Sequence, residues 1–324
     1  MSIIASGVVE VLRSGFITQG SVVPKFEDAV TSCTNADYGV AVNSGTAALH
    51  IACQALGLGP GDLLWTTTNS FVASANCGLY CGASVDFVDI ELESGLMSPM
   101  ALEEKLIKAE KAGIQPKIVI PVHFAGQSCD MHAIHILSQQ YGFRIIEDAC
   151  QAHGAMYKNK KVGSISDVGC FSFYPTKNMT VGGDGGMVTT NNEEIKKQID
   201  SLRDNGRRTR TEHDKLGFTM RLNTVNAAIG RVQLRHLDEK NQRRREIAMI
   251  YRKKLTQDCI LPENRDGKSV YHQIIIKHKK RNEIKNELAE SEIGSAIYYE
   301  KPIHLQPYYP VSYTHLTLPT ILLV

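Results

Sequence analysis

Residues 168–190 have the sequence VGCFSFYPTKNMTVGGDGGMVTT, and this stretch decides the predicted fold. The apolar run 168–173 is typical of a buried strand, and residues 182–186 form a glycine-rich turn before a second strand at 187–190. Lys177 lies between the two strands. A lysine on an isolated loop is usually a solvated turn residue. On a short loop between buried strands its amine is held in place and shielded from water, which favours a nucleophile.

Strands and helices alternate in the sequence before this stretch. We predict strands at residues 38–42, 63–67, 84–88, 117–122 and 143–147, and helices at 47–58, 70–81, 99–112 and 131–141. Such alternation indicates a parallel α/β sheet. Ligands of these sheets collect at the carboxyl ends of the strands, and Thr46, Phe71, Asp148 and Lys177 each directly follow a predicted strand.

The residues at these strand ends fit one cofactor, pyridoxal phosphate (PLP). PLP needs a lysine for its Schiff base and an acid opposite its ring nitrogen, and Lys177 and Asp148 supply these groups. The phosphate of PLP needs an anion site. Residues 43–47, NSGTA, follow a strand and open a helix, so that free backbone N–H groups at the helix N-terminus would meet the phosphate.

Five ordered motifs carry a family resemblance between about residues 11 and 309. They are NSGTAAL, TTNSFVASAN, EDACQAHG, FSFYPTKN with GGDGGMV, and GFTMRLNTVNAAIG. Together they resemble the DegT/DnrJ/EryC1/StrS family of sugar-nucleotide aminotransferases. The resemblance implies an α/β fold of the fold type I PLP-dependent transferases, with a large domain around a mostly parallel seven-stranded sheet flanked by helices, and a small α/β C-terminal domain.

The resemblance also implies roles for individual residues. Lys177 would form the Schiff base with PLP and Asp148 would pair with the pyridine nitrogen. Gln151 would lie beside the ring hydroxyl and Phe71 would stack on the ring. The phosphate would be held by Gly45, Thr46 and Ser172. A branch of the family that dehydrates sugars has histidine in place of the lysine, so Lys177 indicates transamination.

Five further residues are candidates for substrate or cross-dimer contacts. Thr18 belongs to a TQG segment that borders the substrate pocket in the resembled family, although a plain loop between helices is an equal alternative. Arg207 could meet a diphosphate because a guanidinium matches phosphate oxygens. Thr219 and Arg221 lie in the segment that the family sends across its dimer interface. Thr219 replaces a common asparagine there, and its shorter reach weakens that expectation.

The predicted reaction moves an amino group from glutamate to a 4-keto-6-deoxy sugar linked to UDP or dTDP, for surface or flagellar glycan synthesis. The first half of the chain is most similar to the branch that makes a UDP-linked 4-amino sugar for pseudaminic acid. That branch more often has histidine where Tyr174 stands, so Tyr174 is the fifth candidate. The alternatives are another fold type I PLP enzyme, such as a lyase or desulfurase, and a non-catalytic regulatory or sugar-binding relative.

Composition excludes other classes of protein. A net charge of +2 over 324 residues indicates neither a nucleic-acid-binding protein nor an acidic solvating one. No stretch approaches about 18 consecutive apolar residues, so we predict no membrane span. The eight cysteines form no CxxC pair, which predicts reduced thiols in a cytoplasm.

His132 and His135 share a helix without a carboxylate or cysteine partner at metal-site spacing, so we predict no metal. The family resemblance of residues 219–226 implies one further partner, a second copy of the chain in a homodimer with shared active sites.

Two domains and a tail are predicted. Residues 1–245 would form the PLP-binding large domain, residues 246–310 part of a small C-terminal domain, and residues 311–324 an atypical tail. Within the small domain we predict strands at 270–276 and 295–299 around a helix at 281–290. The resemblance ends near residue 309, where the family normally continues, so the tail is expected to be foreign and the small domain truncated.

Overall fold

A seven-stranded sheet is the frame of the protein in a computed structural model, which describes residues 3–255, 266–309 and 321–323. The strands lie in the order β1-β9-β8-β5-β4-β2-β3, and every neighbouring pair is parallel except those that β9 forms with β1 and β8. Their bounds are β1 Tyr38–Val42, β2 Leu63–Thr67, β3 Ser84–Val88, β4 Ile118–Ile120, β5 Arg144–Asp148, β8 Val168–Ser172 and β9 Gly186–Thr190. The mostly parallel sheet is thereby confirmed.

Helices surround this sheet. They are α1 Ile3–Ser14, α2 Val22–Thr34, α3 Gly45–Ala55, α4 Ala73–Tyr80, α5 Pro99–Ala112, α6 Met131–Tyr141, α7 Glu193–Arg203, α8 Thr224–Arg235, α9 Leu237–Lys254 and α10 Arg281–Glu290. Local chemistry fixes several of their ends. Ser98 accepts the N–H of Ala101 at the start of α5, and Asp130 accepts that of Ala133 at the start of α6. These caps begin both helices at the predicted residues.

Both faces of the sheet are buried, as parallel sheets require. Along β4, Ile118 and Ile120 pack into the layer that contains α3, α4 and α7, whereas Val119 between them packs into the layer that contains α5 and α6. Each fully buried side chain of this size contributes about 1.5–3 kcal/mol. A surface ion pair contributes only about 0–1 kcal/mol. The stability of the sheet that positions the site therefore depends mainly on these buried layers.

Smaller sheets account for the remaining strands. Strand β6 Met156–Tyr157 pairs with β7 Lys160–Lys161 on one side and with β10 Gly267–Lys268 on the other, and β11 Ile275–Lys277 pairs with β12 Ile321–Leu323. The strand predicted at residues 270–276 is therefore mostly wrong, because only its end pairs. The strand predicted at 295–299 is also wrong, since those residues contain one isolated bridge position and turns. The small domain stays a proposal.

The predicted tail falls mostly outside the described residues. Residues 310–320 and 324 are not described, and residues 321–323 form β12, whose backbone pairs antiparallel with β11. Among the described residues, no helix is both long and apolar enough to cross a membrane.

Candidate active site

A cavity of about 430 Å³ lies at the carboxyl ends of β1, β2, β5 and β8. At this edge of the sheet each strand ends and the following loop or helix begins. Residues that are far apart in sequence therefore lie close together here. Its lining includes all seven predicted cofactor residues: Gly45, Thr46, Phe71, Asp148, Gln151, Ser172 and Lys177. The structure therefore brings the predicted set together.

Lys177 lies on the loop between β8 and β9 and is half-buried. Its backbone N–H donates to the carbonyl of Tyr174 at 2.9 Å, which makes a tight turn. The next residue, Asn178, is buried and donates through Nδ2 to Asn241 Oδ1 at 2.9 Å and to the carbonyl of Val270 at 3.0 Å. These two bonds hold Asn178, and the turn with Tyr174 holds Lys177 itself. The backbone of Lys177 is therefore fixed at the wall of the cavity.

Asp148 ends β5 and is only 5% exposed. Its Oδ1 accepts the backbone N–H of Cys150 at 3.1 Å, and its Oδ2 accepts the Ser74 hydroxyl at 2.7 Å. Ser74 Oγ lies in turn 2.7 Å from Ser70 Oγ. A buried carboxylate is stable in its charged form only when such donors replace water. The arrangement gives the cavity a held anion that is suited to a protonated ring nitrogen.

The N-terminus of α3 forms an anion cradle. Ser44 accepts the N–H of Ala47, and the N–H groups of Gly45 and Thr46 occupy the first turn, where a helix offers no acceptors of its own. A Cβ added at Gly45 would lie 2.6 Å from Ser172 Cβ, and one at Gly186 would lie 2.3 Å from the Ser44 carbonyl oxygen. Only glycine allows these close approaches, which keep the Ser172 hydroxyl beside the helix N-terminus.

Three predicted residues differ in how firmly they are held. Gln151 is buried, accepting the N–H of Ala125 at 2.7 Å and donating to the Tyr299 hydroxyl at 3.3 Å. Phe71 and Tyr174 line the same cavity but are 59% and 50% exposed. They are therefore placed where a ligand could cover them.

The other four candidates do not line this cavity. Thr18 is exposed and forms a bridge with Asn223, and the Thr219 hydroxyl donates to Asn205 Oδ1 at 3.0 Å. Arg221 and Arg207 both bind Asp204 of their own chain, Arg221 NH1 at 2.5 Å from Oδ1 and Arg207 NH1 at 3.1 Å from Oδ2. Within one chain, none of these four residues lines the cavity that contains Lys177. Their substrate or cross-dimer roles stay predictions.

The sequence interpretation missed part of the lining. His272, Gln273, Tyr298 and Tyr299 come from the C-terminal part of the chain, and Ser74 lies in a motif that was quoted only for its family likeness. The adjacent pairs His-Gln and Tyr-Tyr are polar or aromatic, which a binding site often uses. Nothing local connects them to Lys177, because only tertiary folding brings residues 272–299 to the sheet edge.

His123 follows β4 and has a structural role. It is fully buried, with Nε2 3.0 Å from Glu147 Oε2 and with Nδ1 accepting the Cys129 N–H at 3.1 Å. Glu147 also accepts the backbone N–H groups of Gly163, Ile165 and Ser166. These donors hold the pKa of Glu147 below its usual value despite its burial.

The described residues fit PLP. A primary amine, a buried carboxylate and a glycine-lined helix N-terminus share one cavity at the correct edge of a mostly parallel sheet, so fold and site together define a PLP-dependent transferase. The chain belongs to the DegT/DnrJ/EryC1/StrS aminotransferase family, whose profile matches residues 3–320. The family identified from the sequence motifs is thereby confirmed.

Curated relatives of this family match most of the chain. A protein from Acidithiobacillus ferrooxidans named UDP-N-acetyl-3-dehydro-alpha-D-glucosamine 3-aminotransferase is 38% identical over 305 residues, which are 94% of this chain and 81% of the relative. A protein from Geobacillus stearothermophilus named pleiotropic regulatory protein is 37% identical over 303 residues, covering 92% of this chain and 80% of the relative.

Solved structures agree with the fold. A DegT DnrJ EryC1 StrS aminotransferase from Brucella abortus superposes with a TM-score of 0.94 at 29% identity, covering 99% of this chain and 89% of the other. NtdA from Bacillus subtilis, solved with the aminated cofactor PMP, gives 0.89 at 30% identity, covering 99% and 76%. PseC from Helicobacter pylori, of pseudaminic acid biosynthesis, gives 0.89 at 27% identity, covering 100% and 91%. PLP is the cofactor of this chain.

Proposed function

We propose that this chain transfers an amino group from glutamate to the keto carbon of a hexose linked to a nucleoside diphosphate. The observation that carries the proposal is the position of Lys177 and Asp148 in one cavity whose opening is flanked by exposed aromatic side chains. The family supports transamination rather than a lyase or a desulfurase. Nucleotide-linked sugars appear in the names of several relatives, which supports the acceptor class.

Each residue has a distinct task in this proposal. When bound, PLP supplies an electron sink that stabilises negative charge at the carbon of the donor or acceptor. Lys177 would hold the cofactor through its amine and would move a proton at the substrate carbon. Asp148 would hold the proton of the ring nitrogen, Gln151 would contact the ring hydroxyl, and Phe71 would pack on the ring. Gly45, Thr46 and Ser172 would bind the phosphate.

The position of the keto group on the sugar is the finer part of the proposal. The first half of the sequence predicts a 4-keto-6-deoxy acceptor, as in the pseudaminic acid branch, and a structure of PseC is among the similar folds. Relatives with higher identity are named for 3-dehydro and 3-amino sugars. A panel of UDP- and dTDP-linked 3-keto and 4-keto sugars would separate the two positions by product structure.

We also propose a homodimer with shared active sites, and a cytoplasmic location as the cysteine usage predicts. The dimer is supported by the segment that contains Thr219 and Arg221. These two residues do not line the cavity of their own chain, although the sequence of the segment resembles one that binds the cofactor. Thr219 lines a second depression of about 550 Å³ with Ser44 and Thr46 of the anion cradle. A partner chain seated there would reach the cradle from outside.

Spectroscopy of the purified holoenzyme tests the proposed function. Glutamate should bleach the visible band of the lysine-bound cofactor, and a keto sugar nucleotide added afterwards should restore it. A protein that is colourless throughout would instead be a non-catalytic relative, and release of ammonia or sulfide without return of the band would indicate a lyase or a desulfurase. Lys177→Ala, which lacks the nucleophile, is the matched control.

A further inference from the structure

His272 enters the cavity from a segment that is held firmly in place. Its backbone N–H donates to the carbonyl of Ala125 at 2.9 Å, and its own carbonyl accepts Arg244 NH1 at 3.2 Å. The residue is 8% exposed, and it lines the cavity that contains Lys177. These bonds fix the backbone of His272 at the wall of the cavity that Lys177 also lines.

A chain of buried amides determines which ring nitrogen carries the proton. Asn241 Nδ2 donates to the carbonyl of His153 at 2.8 Å, so Asn241 Oδ1 is the acceptor for Asn178 Nδ2. Asn178 Nδ2 also donates to the carbonyl of Val270, so Asn178 Oδ1 can only accept. His272 Nδ1 lies 3.1 Å from this oxygen and must be the donor. The hydrogen-bond network thus assigns the proton to Nδ1.

The other nitrogen, Nε2, is therefore an acceptor. Burial is the main cause that lowers the pKa of His272, to about 2, and Lys177 adds to it, so the ring stays neutral at working pH. Among the described residues Nε2 has no hydrogen-bond partner, and it is not one of the fully buried atoms that lack a partner. Because His272 lines the cavity, this lone pair is available to a ligand there.

The chemistry of the cavity selects the partner of this lone pair. The phosphate oxygens of PLP act mainly as acceptors, and the proposed roles pair its ring N–H with Asp148 and place its ring hydroxyl beside Gln151. A sugar substrate brings several hydroxyl donors that these roles leave free. We infer that His272 is a specificity residue that accepts a hydrogen bond from a hydroxyl group of the sugar substrate. This inference rests on the proposed function, since it needs a sugar in the cavity.

Two substitutions separate the two ends of the imidazole. In asparagine the amide nitrogen can replace Nδ1 as the donor to Asn178, and nothing replaces Nε2. In glutamine the amide oxygen can replace Nε2 as the acceptor, and the link to Asn178 is lost. His272→Asn should therefore keep the packing and lose the sugar contact, whereas His272→Gln should keep the sugar contact at some cost in stability.

The experiment measures the two half-reactions separately on the holoenzyme, by bleaching with glutamate and by return of the band with the keto sugar nucleotide. His272→Asn should raise the KM of the second half-reaction by about tenfold, the effect of one lost hydrogen bond, and should change the first less than twofold. Calorimetric titration with the aminated sugar nucleotide should show the same tenfold loss in Kd. His272→Gln should recover most of it.

Three results would overturn the inference. If His272→Asn slowed both half-reactions equally, the substitution would be acting through Lys177, which takes part in both. An unchanged KM for the sugar would show that Nε2 contacts no substrate hydroxyl, while the proposed function would stand. A wild-type protein that bleaches with glutamate but accepts no sugar nucleotide would refute the proposed acceptor and this contact together. The wild-type measurement thus distinguishes the two failures.

Discussion

The hydroxyl of Ser74 lies 2.7 Å from Oδ2 of Asp148 and donates to it. Ser74 is fully buried in the first turn of α4, which follows β2, while Asp148 ends β5. The bond therefore joins segments at the ends of two strands that are separated by β4 in the sheet. A hydroxyl donor stabilises the ionised carboxylate. The bond therefore gives Asp148 a donor in place of water, which suits the proposed role of this carboxylate opposite the ring nitrogen of PLP.

Replacing Ser74 with alanine should lower kcat by about tenfold, because the carboxylate loses one charge-assisted hydrogen bond of about 1.5–3 kcal/mol, part of which water can replace. The visible spectrum of the bound cofactor should change as well, since the protonation of the ring nitrogen changes. Steady-state kinetics and absorbance titration against pH measure both effects.

Two further variants control this prediction. Ser74→Thr keeps the hydroxyl and should retain most of the rate and the wild-type spectrum. Asp148→Asn should bind the cofactor and lose most activity, since a neutral amide cannot hold the pyridinium proton. A Ser74→Ala protein with wild-type kcat and spectrum would show that the bond only stabilises the fold.

Replacing Lys177 with alanine should abolish turnover and the visible band of the lysine-bound cofactor, with little change in the thermal unfolding temperature. The side chain is half-buried on a cavity wall, so its removal leaves no cavity in the core. Circular dichroism and absorbance measure the two effects. The surface variant Lys160→Ala controls for loss of a positive charge. Turnover by Lys177→Ala would refute the assigned nucleophile.

Sequence periodicity predicted the sheet well and the C-terminal part poorly, for a physical reason. Strands β2 and β3 and helices α5, α6 and α10 have their predicted bounds, because each has a cap, a turn or a run of buried residues of its own. Val270 and residues 274–276 are also apolar, yet only Ile275–Lys277 pair as a strand. Val270 is instead buried in the core beside α8 and α9, where its carbonyl accepts Asn178. Tertiary contact overrode the local pattern there.

The candidate site shows the same limit. The motifs predicted the residues that follow β1, β2, β5 and β8, since the carboxyl ends of parallel strands must share one edge. They could not predict His272 or Tyr299, which reach Asn178 and Gln151 through side-chain hydrogen bonds across about a hundred residues or more of sequence. Nor could they show that Arg221 binds Asp204 of its own chain.

His153 should make the protein less stable in mild acid. It is 4% exposed between Phe171 and Phe173, and burial lowers its pKa to about 3 from an ordinary value of about 6.5. Below pH 6.5 the unfolded chain binds a proton that the folded chain does not. The free energy of unfolding therefore decreases as the pH is lowered. From neutral pH down to pH 5 this residue alone should remove about 2 kcal/mol.

The variant His153→Phe isolates this contribution, because it keeps a ring of similar shape and has no titratable nitrogen. Urea unfolding of the wild type and the variant at pH 7 and pH 5 gives the difference directly. The wild type should lose about 2 kcal/mol more than the variant over this interval. Parallel curves for the two proteins would show that His153 takes up its proton in the folded state.

Mixed dimers test whether Arg221 acts in its own chain or in the partner. Its guanidinium binds Asp204 of the same chain and does not line the principal cavity, yet the segment resembles one that crosses a dimer interface. If Arg221 acts across the interface, its removal should inactivate the partner's site. A heterodimer of one Lys177→Ala and one Arg221→Ala protomer would then contain one native site, because the lysine and the arginine of that site come from different chains.

Random mixing of equal amounts gives about half heterodimers, so about a quarter of all sites should be native and turnover should recover to about a quarter of the wild-type value. Each variant alone should be nearly inactive. Differential tags allow the heterodimer to be purified and its formation proved. If purified heterodimers remain inactive, Arg221 serves its own chain through Asp204, and Asp204→Asn should then reproduce the Arg221→Ala defect without any complementation by Lys177→Ala.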